Sequence, residues 1–107
     1  MTLFTQLLVS TFLLFTSIDN NHCVATWYDT KPHPRVHRSY STAAYCDWKH
    51  LNKKFVVTNI DNGKSDTVVI TDTHPNGPRH IDLSKEAFGK IANHAQGKIR
   101  VKIKPLP

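Results

Sequence analysis

The stretch from Lys53 to Thr71 constrains the fold of this chain more than any other. Two runs rich in β-branched and aromatic residues, Lys53-Lys54-Phe55-Val56-Val57-Thr58-Asn59-Ile60 and Thr67-Val68-Val69-Ile70-Thr71, flank Asp61-Asn62-Gly63-Lys64. Such runs read as strands, and the Asn-Gly between them supplies the positive φ angles of a tight hairpin. Further strands are predicted on the same grounds. Val24-Ala25-Thr26-Trp27-Tyr28 is one. Lys98-Ile99-Arg100-Val101-Lys102-Ile103 is another, with Ile99, Val101 and Ile103 to one side and basic residues to the other. Tyr40-Ser41-Thr42-Ala43-Ala44-Tyr45 suits either a short helix or a tightly packed strand. Ser84 has the chemistry of a helix N-cap, ahead of an apolar face made by Ala87, Phe88, Ile91 and Ala92. Several short strands with one or two short helices describe an all-β domain of the small-barrel kind. At 107 residues, without repeats or low-complexity tracts, the chain makes one domain.

Its first residues form a different kind of segment. Leu7-Leu8-Val9-Ser10-Thr11-Phe12-Leu13-Leu14-Phe15 is apolar but too short to span a bilayer, and fits the hydrophobic region of a secretory signal. Residues 1–22 are therefore expected to be a signal peptide and a short N-terminal segment, and 23–107 the domain. No stable membrane span is expected after cleavage. Export gives meaning to the cysteine pair: Cys23 and Cys46 are expected to form a disulfide, worth about 3 kcal/mol for a loop of this size in the chain-entropy model. No Cys/His spacing resembles a zinc site, so no metal is expected, and no cofactor.

Lys and Arg number 14 against 8 Asp and Glu, a formal charge of +6. An exported basic protein can meet an acidic polymer of the cell wall. Nucleic acid is not expected as a partner, because no recognition motif accompanies the charge.

The densest run of titratable groups follows the hairpin. From Ile70 to Ser84 the chain passes Asp72, His74, Arg79, His80 and Asp82, with Pro75, Gly77 and Pro78 turning the backbone between the acids. Two readings fit these residues. In one, Asp82 and Ser84 form a helix-entry cap and Asp72 makes a turn hydrogen bond. In the other, both acids are held over a groove, as general acid chemistry requires. The aromatics of the first half likewise either fill the core or stack on the apolar faces of sugar rings.

Taken in order, these pieces resemble RlpA-type proteins. Ala25-Thr26-Trp27-Tyr28 resembles their opening, Thr42-Ala43-Ala44 their Thr-Ala-Ala-His segment, and Val57-Thr58-Asn59-Ile60-Asp61-Asn62-Gly63-Lys64-Ser65 their hairpin. Asp72, Ile81-Asp82-Leu83-Ser84 and Gly97-Lys98-Ile99-Arg100-Val101 continue the match. The resemblance implies a six-stranded double-psi β-barrel and a cell-wall polysaccharide as partner, either peptidoglycan or a plant wall glycan. It also implies a secreted, periplasmic or wall-associated monomer. Active relatives are lytic transglycosylases, in which an acid protonates the glycosidic oxygen and the sugar's own hydroxyl displaces it. On that basis Asp72 and Asp82 are the candidate catalytic residues, and Trp27, Tyr28, Tyr45, His74 and His80 the candidate substrate contacts. This chain departs from the pattern in two ways: Tyr45 stands where the family has histidine, and one extra residue lies between there and Asp72. Thr71-Asp72-x-x-Pro75-x-Gly77 and Asp82-Leu83-Ser84 also resemble bacterial expansins, and His80-Ile81-Asp82 the His-Phe-Asp of plant expansins. The alternative implied is a wall-loosening or wall-binding module that does not hydrolyse.

Overall fold

A computed structural model of the protein describes residues 22–29 and 41–107. The expected signal segment before His22, and the Pro-rich loop with Lys31, Arg35, Arg38 and Tyr40, lie outside the described residues. Six strands close into a barrel: β1 (Cys23–Tyr28), β2 (Thr42–Tyr45), β3 (Lys54–Asn59), β4 (Ser65–Thr73), β5 (His80–Ser84) and β6 (Ile99–Pro105). Their order around the wall is β1-β5-β2-β4-β3-β6, with β6 pairing back onto β1. Two of the pairings, β1 with β5 and β2 with β4, are parallel; the other four are antiparallel. The small residues of Thr42-Ala43-Ala44-Tyr45 form a strand buried along its whole length.

The alternation read in the sequence builds the core. Phe55 and Val57 on β3, Ile81 and Leu83 on β5, and Ile99 and Val101 on β6 all point inward and are buried. Each such side chain contributes about 1.5–3 kcal/mol by leaving water. One short helix, α1 (Lys85–Ile91), packs on the barrel through Ala87, Phe88 and Ile91. Ser84 begins it as expected: its buried Oγ accepts the Ala87 N–H at 3.2 Å, and also accepts the Thr42 N–H at 3.2 Å. One buried hydroxyl thus caps the helix and ties β5 to β2.

The hairpin is present, but its turn works differently from the expectation. Within the turn only Gly63 has positive φ, at 75°, whereas Asn62 does not. Asn59 N–H donates to Lys64 O, leaving a four-residue loop over 60–63 instead of a two-residue one. The Asn62 side chain accepts the Lys64 N–H at 2.9 Å and donates to Ile91 O at 2.9 Å, beside a second donation to that carbonyl from Asn59 at 2.8 Å. Two amides therefore satisfy a helix-end carbonyl that has no partner within the helix.

A bulge separates the two halves of β4. Ala43 pairs with Ile70 but Ala44 with Asp72, so Thr71 is extra. Val68 and Ile70 face the core. Strict alternation would therefore send Asp72 inward as well. The extra residue turns Asp72 to the outside, where it is exposed.

Candidate functional site

The register gathers four residues into one row across the outer wall. Thr26 on β1 pairs with Asp82 on β5, Asp82 with Ala44 on β2, and Ala44 with Asp72 on β4. Side chains directly opposite in a sheet share a face, and inward Ala25, Ile81 and Ala43 leave this row on the outer one. Two strand spacings put the acid Cα atoms about 10 Å apart. Ala44, small and 8% exposed, lies between them, so the two carboxylates flank the least bulky position of the row.

Each acid is held by a neighbour. Thr26 Oγ1 donates to Asp82 Oδ1 at 2.9 Å and contacts His80 Nε2 at 2.8 Å. Asp72 Oδ1 accepts the Thr73 N–H at 2.8 Å. The helix-entry cap is made by Ser84 alone, and the carboxylate of Asp82 bonds across to β1. Beside the row, the Tyr28 hydroxyl shares a 2.9 Å hydrogen bond with Thr42 Oγ1 and also bonds the Thr71 side chain. Burial pushes the Tyr28 phenol up, and Asp82 and Asp72 push it further, against those two hydrogen bonds. Tyr28 therefore stays a neutral phenol within the field of both acids.

The loop between the acids is fastened at several points. His74 N–H donates to Tyr45 O at 3.1 Å, and Asn76 N–H donates to His74 Nδ1 at 3.0 Å. Because Nδ1 accepts, the proton of neutral His74 sits on Nε2, which donates to His80 O at 2.7 Å. Burial first, then the neighbouring His74 and Lys98, hold His80 below the ordinary histidine range, with Asp82 opposing. At the loop's end Pro78 O accepts the Tyr45 hydroxyl at 2.8 Å and lies 3.5 Å from Cys23 Sγ.

The candidates thus separate. Asp72, Asp82, Tyr28 and His80 come together on or beside the outer row, with His74 behind His80. Tyr45 is 7% exposed and packs against His50 and Phe55 under the loop, so it supports the loop from inside. Trp27 lies on the opposite face of β1 from Thr26 and Tyr28. It donates from Nε1 to His94 O and packs on Phe88 and the His94 ring. That cluster closes over Gly89, where a Cβ would meet the His94 ring at 2.7 Å. The Cys23–Cys46 disulfide is not formed in the structure: both are thiols, Cys23 buried and Cys46 half-buried. The Cys23 thiol lies against Pro78 O, and burial pushes its pKa up.

Thr26, Thr42, Thr71 and Ala44 carry the geometry of this face but do not stand out in the sequence. Their signal was positional: Thr26 alternates with buried Ala25, and Thr71 marks the place where the inward rhythm of β4 breaks. Among the described residues no group of three or more His, Cys, Asp or Glu is placed to hold a metal ion.

The lytic transglycolase family model matches residues 20–103. The chain belongs to this family of double-psi β-barrels. No curated protein matches it. Among solved structures, the Clavibacter michiganensis expansin, as a mutant in complex with cellohexaose, superposes with a TM-score of 0.69 at 20% identity. That match covers 81% of this chain and 50% of the expansin, so this family member spans about half the expansin's length. Cerato-platanin 3 from M. perniciosa aligns at TM-score 0.60 and 14% identity, covering 80% of this chain and 94% of that one. A Streptomyces papain inhibitor aligns at TM-score 0.56 and 26% identity, covering 75% and 89%. The first two likenesses show the fold alone. The family match by itself supports a lytic-transglycosylase-like protein.

Proposed function

We propose that this protein is exported and binds a cell-wall polysaccharide along the outer row Thr26–Asp82–Ala44–Asp72, and that binding without turnover is its principal activity. The observation that carries this reading is the row itself: two carboxylates on one outer face, on either side of the small side chain of Ala44. Carboxylate oxygens accept hydrogen bonds from sugar hydroxyls, and bonds to charged acceptors contribute about 1.5–3 kcal/mol each. The Tyr28 phenol adds a ring beside the row. A neighbour of the same fold has been solved with cellohexaose, which makes a β-linked glucan a suitable probe beside peptidoglycan.

Lysis is the finer alternative within the same family. There Asp72 protonates the glycosidic oxygen, the substrate's own hydroxyl displaces it, and an anhydro-sugar leaves. Tyr45 speaks for binding instead, since the residue standing for the family histidine is a phenol committed to Pro78 O inside the loop. The test is retention on insoluble peptidoglycan and on cellulose, with anhydro-muropeptides assayed in parallel. Asp72→Asn and Asp82→Asn, which keep shape but remove the charge, should each lower retention about tenfold at unchanged melting temperature. Full retention by both variants would sink the proposal, and anhydro-sugar release by the wild type would replace binding with lysis.

A further inference from the structure

We propose that His80 is a positioning residue for Asp82, acting through the Thr26 hydroxyl: it fixes the direction of that hydroxyl and so decides which carboxylate oxygen faces the sugar. The inference rests on reading the outer row as a glycan site, but its atomic half can be tested with no glycan present.

Hydrogen counting sets the direction. A threonine hydroxyl has one hydrogen to give and two lone pairs, while an ionised carboxylate only accepts. At 2.9 Å from Asp82 Oδ1, the hydrogen of Thr26 Oγ1 is committed to the acid. The 2.8 Å contact to His80 Nε2 is then a hydrogen bond only if Nε2 carries a proton and donates it. The order is His80 Nε2–H to Thr26 Oγ1, then Thr26 O–H to Asp82 Oδ1. A hydroxyl rotor that would otherwise turn freely is held at both ends.

His80 is suited to this task by what surrounds it. Its backbone carbonyl accepts the Nε2–H of His74, so the loop holds the residue from behind. Its ring lies 5.0 Å from that of His74. The charged and titratable groups facing it are His74 from the loop, Lys98 from the turn before β6, and Asp82 on its own strand. Arg100, across Val24 from His80, is already paired with Asp61 at 2.9 Å. Burial together with His74 and Lys98 keeps the imidazole neutral at neutral pH. His80 therefore aims the hydroxyl without setting a cation against the carboxylate. With Oδ1 occupied by Thr26, Oδ2 is the oxygen left to meet a sugar hydroxyl.

Nitrogen NMR of the labelled protein at neutral pH reads the tautomer directly. His80 should show Nε2 protonated and Nδ1 bare in the wild type. Thr26→Val removes the acceptor and should shift His80 toward a mixture, while Thr26→Ser should restore the wild-type pattern. An Nδ1-protonated wild-type ring, or a pattern indifferent to Thr26→Val, overturns the inference. On cellohexaose, His80→Ala should lose affinity about tenfold through the misdirected acid, and His80→Gln, whose amide can donate from a similar place, should recover most of it. Equal losses in the Ala and Gln variants at equal melting temperature also overturn it. If the tautomer pattern holds and the wild type binds no glycan, the Thr26–His80 arrangement stands and the glycan reading falls.

Discussion

On the side of the barrel formed by β1, β5, β2 and the end of β4, most of the outward polar side chains are bonded to one another. On the side formed by β3 and β6 most of them are not. Lys54 on β3 and Arg100, Lys102 and Lys104 on β6 stand exposed, with Lys104 opposite Val56 and Lys102 opposite Thr58. Arg100 is paired with Asp61, but Lys54, Lys102 and Lys104 have no acid partner among the described residues. The acid side uses both parallel pairings and joins residues far apart in sequence, such as Thr26 and Asp82. The basic side is antiparallel, and its cations follow from simple alternation. One face is pre-arranged to present a few aimed groups; the other presents mobile charge at intervals of about 7 Å along β6. The first can select a ligand by shape and hydrogen bonding, the second only by sign of charge.

The contrast breaks most severely at the bulge. Inserting one residue between Ala43 and Ala44 gives Thr71 a partner, restores strict alternation along β4 and sends Asp72 toward the core side. Burying a carboxylate without a partner costs several kcal/mol in a real protein. The insertion variant should lose most of its stability in urea denaturation, and retention on both faces with it. An insertion variant as stable as wild type would mean that the bulge does not separate the faces. A smaller effect comes from neutralising the other side. Lys54→Gln, Lys102→Gln and Lys104→Gln together should lower retention on a polyanion such as polygalacturonate several-fold and leave cellohexaose binding unchanged. Wild-type polyanion retention should also fall steeply with salt, because exposed charges are screened over about 10 Å at 0.1 M. Retention indifferent to salt would place the polyanion elsewhere.

The smallest effect is on pH. His80 is held below its ordinary value of 6.5 in the folded state, so the unfolded chain takes up its proton first as pH falls. Its contribution to stability is complete above about pH 6.5 and is lost as pH drops through the folded value. Melting temperature should therefore decline on acidification below about 6.5, and His80→Gln should flatten that part of the profile. An identical acid limb in the variant would show that His80 does not set it.

The basic side was the legible one. Ile99, Val101 and Ile103 alternate with cations in the sequence, and the hairpin from Lys54 to Thr73 is bounded by its own loop. Ser84 and the apolar face of α1 were equally plain, because capping and helical periodicity are local. The acids of the other side were visible as residue types, and the family resemblance put them in one site. Their neighbours were not visible. Pairing Thr26 with Asp82 depends on a parallel register across more than fifty residues, which no local pattern encodes. Trp27 and Tyr28 look alike in sequence as aromatic neighbours, yet alternation sends one to Phe88 and the other to Thr42. In the turn, Asn62 was given the wrong duty: its side chain makes the contacts that secure the loop, and its backbone takes no special conformation.

Closure of the wall by β6 and β1 limits how this molecule can meet others. Every strand has a partner on each side. Among the described residues no strand presents a fully open edge onto which a foreign strand could zip, the route by which sheet proteins recruit peptides or polymerise. On the described barrel, recognition falls to side chains standing on the outer surface. Copies of this barrel crowded together would not find in its closed wall a template for their fusion.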